Sequence, residues 1–171
     1  LTRLKIMAGL DITEWRQPQD GRFKLRFENR EEVDFRVSVL PVAEGNKVVL
    51  RVLNRSSLSA GLDHLGFLPD SIQTFKEAVQ RPHGMILVTG PTGSGKSTTL
   101  YSILHQLNTP ARNLITIEDP VEYQLPRVTQ VQVNPEIGLT FASGLRSLLR
   151  QTPDVVMIGE IRDFETADIA M

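Results

Sequence analysis

The residues best suited to chemistry lie in one run, Gly90-Pro91-Thr92-Gly93-Ser94-Gly95-Lys96-Ser97, followed by Thr98. Its fixed positions match the pattern G-x-x-x-x-G-K-[ST], which is built to hold the phosphates of a nucleotide. Glycines let the backbone curl so that successive N–H groups converge on one anion, where side chains would obstruct the approach. A helix starting at the end of the run would add partial positive charge at the same point. Lys96 would bring a full charge to the β- and γ-phosphates, and the Ser97 hydroxyl would be a ligand for Mg²⁺. The flanks agree. Met85-Ile86-Leu87-Val88-Thr89 reads as an apolar strand entering the loop, and the run from Thr98 to Leu107 reads as a helix leaving it. A Gly/Ser loop matching by chance would lack both.

Two more apolar runs, Leu114-Ile115-Thr116-Ile117 and Val155-Val156-Met157-Ile158, read as strands buried on both faces, as in a parallel sheet covered by helices. Such a sheet puts the carboxyl ends of its strands at the ligand crevice. Acids follow both runs: Glu118-Asp119-Pro120-Val121-Glu122 after the first, Gly159-Glu160-Ile161-Arg162-Asp163 after the second. One carboxylate can orient or deprotonate an attacking water while another holds Mg²⁺ directly or through water. The competing reading is that strand-end acids are solvated or cap the next helix, most plainly for Asp163.

The elements that must position these groups fall into two segments. Residues 1–55 carry 11 basic and 8 acidic side chains, residues 56–171 carry 8 and 12, and Ser-rich residues 56–61 between them read as a linker. In the first segment, Gly21–Phe27, residues 33–39 and residues 48–53 alternate at period two, predicting three half-buried strands in an antiparallel meander, with a short helix near residues 1–8. In the second segment, 62–171, the period changes to βαβ, with helices expected near Ile72, Phe75 and Val79 and around Phe141, Leu145, Leu148 and Leu149. The whole chain has 171 residues and a formal net charge of -1, which argues against a dedicated nucleic-acid-binding domain. It has no cysteine, which excludes disulfides, thiol catalysis and Cys-based zinc sites from this stretch. It begins at Leu1 and stops at Met171 inside a helical pattern, so a longer parent is expected.

With these motifs in order, the sequence resembles the secretion ATPase superfamily that powers type II secretion and type IV pilus assembly. Residues 90–101 resemble its Walker A segment, Ile115-Thr116-Ile117-Glu118-Asp119-Pro120-Val121-Glu122-Tyr123 its Asp box, and residues 145–163 its Walker B region. An ordinary Walker B would show Asp at position 159; here Gly159 precedes Glu160, which inherits the metal-side role. The resemblance implies a RecA-like P-loop NTPase core of α/β class, preceded by a small PAS-like antiparallel α+β domain. It further implies that Arg36 and Arg51, on strands of that first domain, reach the nucleotide phosphates, with Arg22 a weaker candidate. Against this, a plain sheet reading makes Arg36 a solvent-face residue.

The mechanism implied is Mg²⁺-dependent ATP hydrolysis in a homo-hexamer. Lys96 and the amides of residues 90–98 hold the triphosphate, and Ser97 and Glu160 position Mg²⁺. Glu118 positions or deprotonates water, with Glu122 a second catalytic candidate. Arg36 and Arg51 sense the γ-phosphate. By resemblance the ring works in the cytoplasm at the bacterial inner membrane, held there only through the cytoplasmic domain of a platform or anchor protein. Three rivals remain. One is a scaffold module that keeps ATP without hydrolysing it; another is a DNA-translocating motor. A GTP switch would need an N-K-x-D motif, which Asn46-Lys47-Val48-Val49 does not supply.

Overall fold

The computed structural model describes residues 1–27, 32–53 and 61–171. The expected linker at 56–61 lies, except for Gly61, outside the described residues. The chain divides into two compact units, Leu1–Arg55 and Ser56–Met171.

The first unit opens with helix α1 (Thr2–Met7), followed by strands β1 (Gln19–Arg26), β2 (Glu32–Val42) and β3 (Gly45–Leu53). They form one antiparallel sheet in the order β1-β2-β3, the meander that the alternating pattern predicts. Val37 and Val39 are buried with Ala8, and Leu10, Phe23 and Val48 pack against them. Phe23 and Phe35, partners across β1 and β2, stack with ring centroids 5.0 Å apart. Gly21 is where α1 meets the sheet: a Cβ there would stand 2.5 Å from the Ala8 carbonyl oxygen. Lys5 is almost fully buried. Its ammonium donates to the carbonyls of Asp11 and Glu14 and lies 4.9 Å from the centre of the Trp15 ring. These contacts supply the acceptors and the π face that a buried cation requires.

The second unit contains α2 (Pro69–Val79), α3 (Lys96–Leu107), β4 (Leu114–Glu118), β5 (Val128–Gln132), α4 (Phe141–Leu148), β6 (Val155–Ile158) and α5 (Phe164–Ala170). Its sheet is parallel, ordered β5-β4-β6, with all five residues of the central strand β4 buried. The pleat divides β4 between two layers. Leu114 packs with Tyr101, Leu104 and Leu107 of α3, whereas Ile115 and Ile117 pack with Phe141 and Leu148 of α4. Full burial of a large apolar side chain contributes roughly 1.5–3 kcal/mol, so these contacts fix α3 firmly over the sheet. Thr140 and Ser143 close a reciprocal capping box at the start of α4.

Two expectations need correction. Residues 85–89 join no sheet ladder among the described residues, and Met85, Ile86 and Leu87 are 50%, 39% and 69% exposed. An apolar run becomes a strand only when neighbours take its backbone hydrogen bonds, and here none does. Conversely, β5 was not expected. Its sequence Val-Thr-Gln-Val-Gln mixes apolar and polar residues, yet it pairs in parallel with β4 from Leu114↔Val128 to Glu118↔Gln132. Among the described residues no helix is long and apolar enough to cross a membrane.

Candidate functional site

The phosphate-loop residues form a tight turn. Gly90, Gly93 and Gly95 have φ of 149°, 82° and 90°, values that side-chain-bearing residues rarely adopt. Gly90 is also crowded, since a Cβ there would lie 2.7 Å from Ser94 Oγ. The Ser94 N–H donates to the Pro91 carbonyl at 3.2 Å. Gly95 is the N-cap of α3 and no side chain caps that end, which leaves the first-turn N–H groups without a side-chain acceptor, as an anion-binding helix start requires. Lys96 bends back over the loop, its Nζ donating to the Gly90 and Pro91 carbonyls at 2.8 and 3.0 Å. Ser97 is exposed, and Thr92 and Gly93 are exposed beside it. Thr98 is half-buried, and its carbonyl accepts from Ser102 Oγ at 2.8 Å.

The acids occupy the carboxyl ends of neighbouring strands. Glu118 closes β4 on the α3 side and is only 3% exposed. Tyr101 of α3 donates its hydroxyl to Glu118 Oε2. Thr116 Oγ1 and Gln130 Nε2 donate to Oε1 at 2.6 and 3.1 Å. Burial, then the hydrogen bond to Glu118 and its charge, push the Tyr101 phenol far above the ordinary tyrosine range. Burial, then the Glu118 charge, raise Tyr123 as well. Glu122, half-buried in the loop after β4, donates its backbone N–H to the Tyr101 hydroxyl oxygen at 3.2 Å.

Beyond β6, the Gly159 N–H donates to the Ile117 carbonyl at 2.8 Å. A Cβ at 159 would lie 3.3 Å from both Glu118 Cα and that carbonyl oxygen. This close approach is the physical reason for glycine where an ordinary Walker B has Asp. Glu160 follows, partly exposed and paired with Arg162 at 2.7 Å. Asp163 caps α5, its Oδ1 accepting from the Thr166 N–H at 2.7 Å. That hydrogen bond holds its carboxyl below the usual range. The capping alternative therefore describes Asp163.

The structure thus brings the Glu118 and Glu160 segments together at adjacent strand ends and ties Glu118 to the helix that issues from the phosphate loop. Arg36 and Arg51 lie in the other unit, where Arg22, Arg36 and Arg51 stand opposite one another across β1, β2 and β3. Sequence reasoning missed Tyr101 and Gln130. Their signal was faint: two polar groups on elements packed against a strand that ends in a carboxylate.

The residues fit a bound Mg²⁺ in donor type. Ser97 and Glu160 offer hard oxygen ligands in small number, which suits an ion that keeps waters and substrate phosphates around it. Among the described residues no cluster of three or more His, Cys, Asp or Glu could hold a metal by itself.

Over residues 1–171 the sequence matches the family described as Type II/IV secretion system protein. It is 57% identical over 170 residues to the type IV pilus assembly ATPase PilB of Myxococcus xanthus (strain DK1622), covering 99% of this chain and 30% of that protein. It is 57% identical over 171 residues to the putative type II secretion system protein E of Escherichia coli (strain K12), covering 100% of this chain and 34% of that one. The chain therefore spans about a third of the length of the curated relatives it matches. The crystal structure of the pilus retraction motor PilT with bound ADP superposes with a TM-score of 0.74 at 38% identity, covering 91% of this chain and 43% of that one. The superposition agrees with an α/β ATPase fold built on a parallel sheet. On the whole-length match, together with the glycine-rich loop that opens into α3, the chain belongs to the type II/IV secretion system protein family.

Proposed function

We propose that the chain is the nucleotide-binding part of an ATP-hydrolysing motor subunit that drives type II pseudopilus or type IV pilus assembly. The observation that carries this reading is the loop at 90–97: three glycines in left-handed backbone, an uncapped helix start and a lysine ammonium folded over the same turn. That arrangement is made for a run of phosphates. Higher identity to assembly and secretion proteins than to the retraction motor supports the assembly role. The cytoplasmic ring of six at the inner membrane, anchored by a platform protein, belongs to the same proposal, as does the RecA-like core with a PAS-like first domain.

In this mechanism the loop amides take the β- and γ-phosphate oxygens, and Lys96 turns from its carbonyl acceptors to the phosphates. Mg²⁺, held by Ser97 and Glu160, would neutralise charge on the transferred phosphoryl group. Arg36 and Arg51 supply cations for the γ-phosphate from the first unit. For the carboxylate that activates water, the geometry favours Glu122 over Glu118. Both Glu118 oxygens already receive donors in a buried setting, whereas a general base must reach the proton it removes.

The test is phosphate release by the full-length protein carrying Glu122→Gln or Glu118→Gln. Glu122→Gln should keep ATP binding and lose turnover by roughly 10²-fold or more. If Glu122→Gln turns over normally while Glu118→Gln is dead, the base is Glu118. No saturable hydrolysis by the unmodified protein, with or without its membrane partner, would favour a nucleotide-holding scaffold.

A further inference from the structure

We infer that Tyr101, held by Glu118, is the positioning residue that sets the loop bearing Glu122 against the phosphate-binding helix. The inference rests on the hydrolytic reading above and adds to it the device that aligns the site. Tyr101 is 2% exposed and lies on α3 five residues beyond Lys96, about 7.5 Å along the helix axis. Its position is therefore fixed relative to the phosphate loop.

A neutral phenol has one proton to donate and lone pairs to accept with. Tyr101 gives its proton to Glu118 Oε2. The oxygen is thereby turned to accept, from the Glu122 N–H at 3.2 Å and from Gln130 Nε2 at 3.4 Å. Gln130 completes the arrangement by donating to Glu118 Oε1 at 3.1 Å and to the Tyr123 carbonyl at 3.1 Å, while its Oε1 accepts from the Leu125 N–H at 2.7 Å. Two side chains, one from α3 and one from β5, thus hold the backbone of the β4–β5 loop at residues 122, 123 and 125. The Tyr123 ring packs on Tyr101 with centroids 4.6 Å apart. Glu118 works through Oε2 as the acceptor that orients the phenol, while its Oε1 accepts from Thr116 and Gln130. Burial and the neighbouring Glu118 raise the pKa of Tyr101, which keeps its proton in place throughout the neutral range.

The experiment uses the full-length protein with Tyr101→Phe, Gln130→Met and the double variant, reading kcat and KM for ATP from phosphate release. Tyr101→Phe keeps the ring packing and removes only the hydroxyl. Loose positioning of a reacting group is a rate effect, so kcat should fall roughly tenfold or more while KM stays within about twofold. Because Tyr101 and Gln130 hold one loop, the double variant should lose little more than the worse single one. If Tyr101→Phe melts early, Gln130→Met, which keeps side-chain length and removes the hold on Tyr123 and Leu125, carries the same kcat-against-KM comparison.

Full kcat in Tyr101→Phe, a loss confined to KM, or multiplicative losses in the double variant would overturn the inference while leaving ATP hydrolysis by this family member intact. Absence of turnover in the unmodified protein would overturn the hydrolytic reading and this inference with it.

Discussion

Arg36 of β2 and Arg51 of β3 face each other directly across the antiparallel sheet of the first unit, and Arg22 of β1 faces Arg36 from the other side. Like charges directly opposite one another destabilise a sheet. A row of three guanidiniums on one face suits a polyanion, whose charge would offset the repulsion among them. Arg36→Ala or Arg51→Ala in the full-length protein should reduce turnover, by as much as the roughly 10³-fold at the lower end of arginine-finger effects. The melting temperature should change little. Phosphate release and a thermal melt on the same preparation check both halves; a collapsed melt would mark the arginines as structural.

Lys96→Ala should weaken nucleotide binding by about 10²-fold or more, since hydrogen bonds to charged groups are individually strong. The fold should be unaffected, because among the described residues Lys96 Nζ bonds the Gly90 and Pro91 carbonyls of its own loop. Titration with a fluorescent ATP analogue measures the affinity, and unchanged affinity would remove the loop from the phosphate site.

Gly159→Ala should destabilise the second unit by about 1–3 kcal/mol, the usual range for overpacking. The added Cβ meets backbone atoms of Glu118 and Ile117, and neither can rotate away. Gly159→Asp, which restores the ordinary Walker B residue, should be worse. Denaturant unfolding of the two variants gives the order, and a neutral Gly159→Ala would show that the strand ends can separate.

Asp163 provides a pH-dependent test of the cap on α5. Its carboxyl is held below the ordinary value of 3.8 by the Thr166 N–H. A depressed folded-state value means stability that is present above the unfolded value and is lost as pH falls through the folded one. The difference in melting temperature between wild type and Asp163→Ala should be full near neutrality and shrink as pH falls below 3.8. Asp163→Asn, which keeps an acceptor, should melt close to wild type near neutrality and lose that acid dependence.

Much of this architecture is legible in the chain, for identifiable reasons. β1 to β3 announce themselves by alternation, β4 and β6 by unbroken apolar runs, and the phosphate loop by spacing that few other tasks require. The misreadings share one cause, which is that pattern reports burial before it reports partners. Residues 85–89 have the composition of a strand without the neighbour that would make one. Gln130 has the composition of a turn, yet it sits in β5 because its amide groups serve Glu118, Tyr123 and Leu125. Lysine is a residue type that is almost never fully buried, yet Lys5 is buried, since two carbonyls and the Trp15 ring replace its water. Glu118 was visible as a strand-end acid. That it faces α3 follows from the parity of Leu114 and Thr116, but its full set of donors comes from elements distant in sequence.

The folded-back posture of Lys96 has a consequence for how the site empties. Because the ammonium already rests on two main-chain oxygens, in the proposed cycle an arriving triphosphate would swap one seat for another, and a departing diphosphate would find the vacated seat ready to take the cation back. Capture would thereby be tempered and discharge eased, as repeated cycling demands of any engine that must shed its product before refuelling.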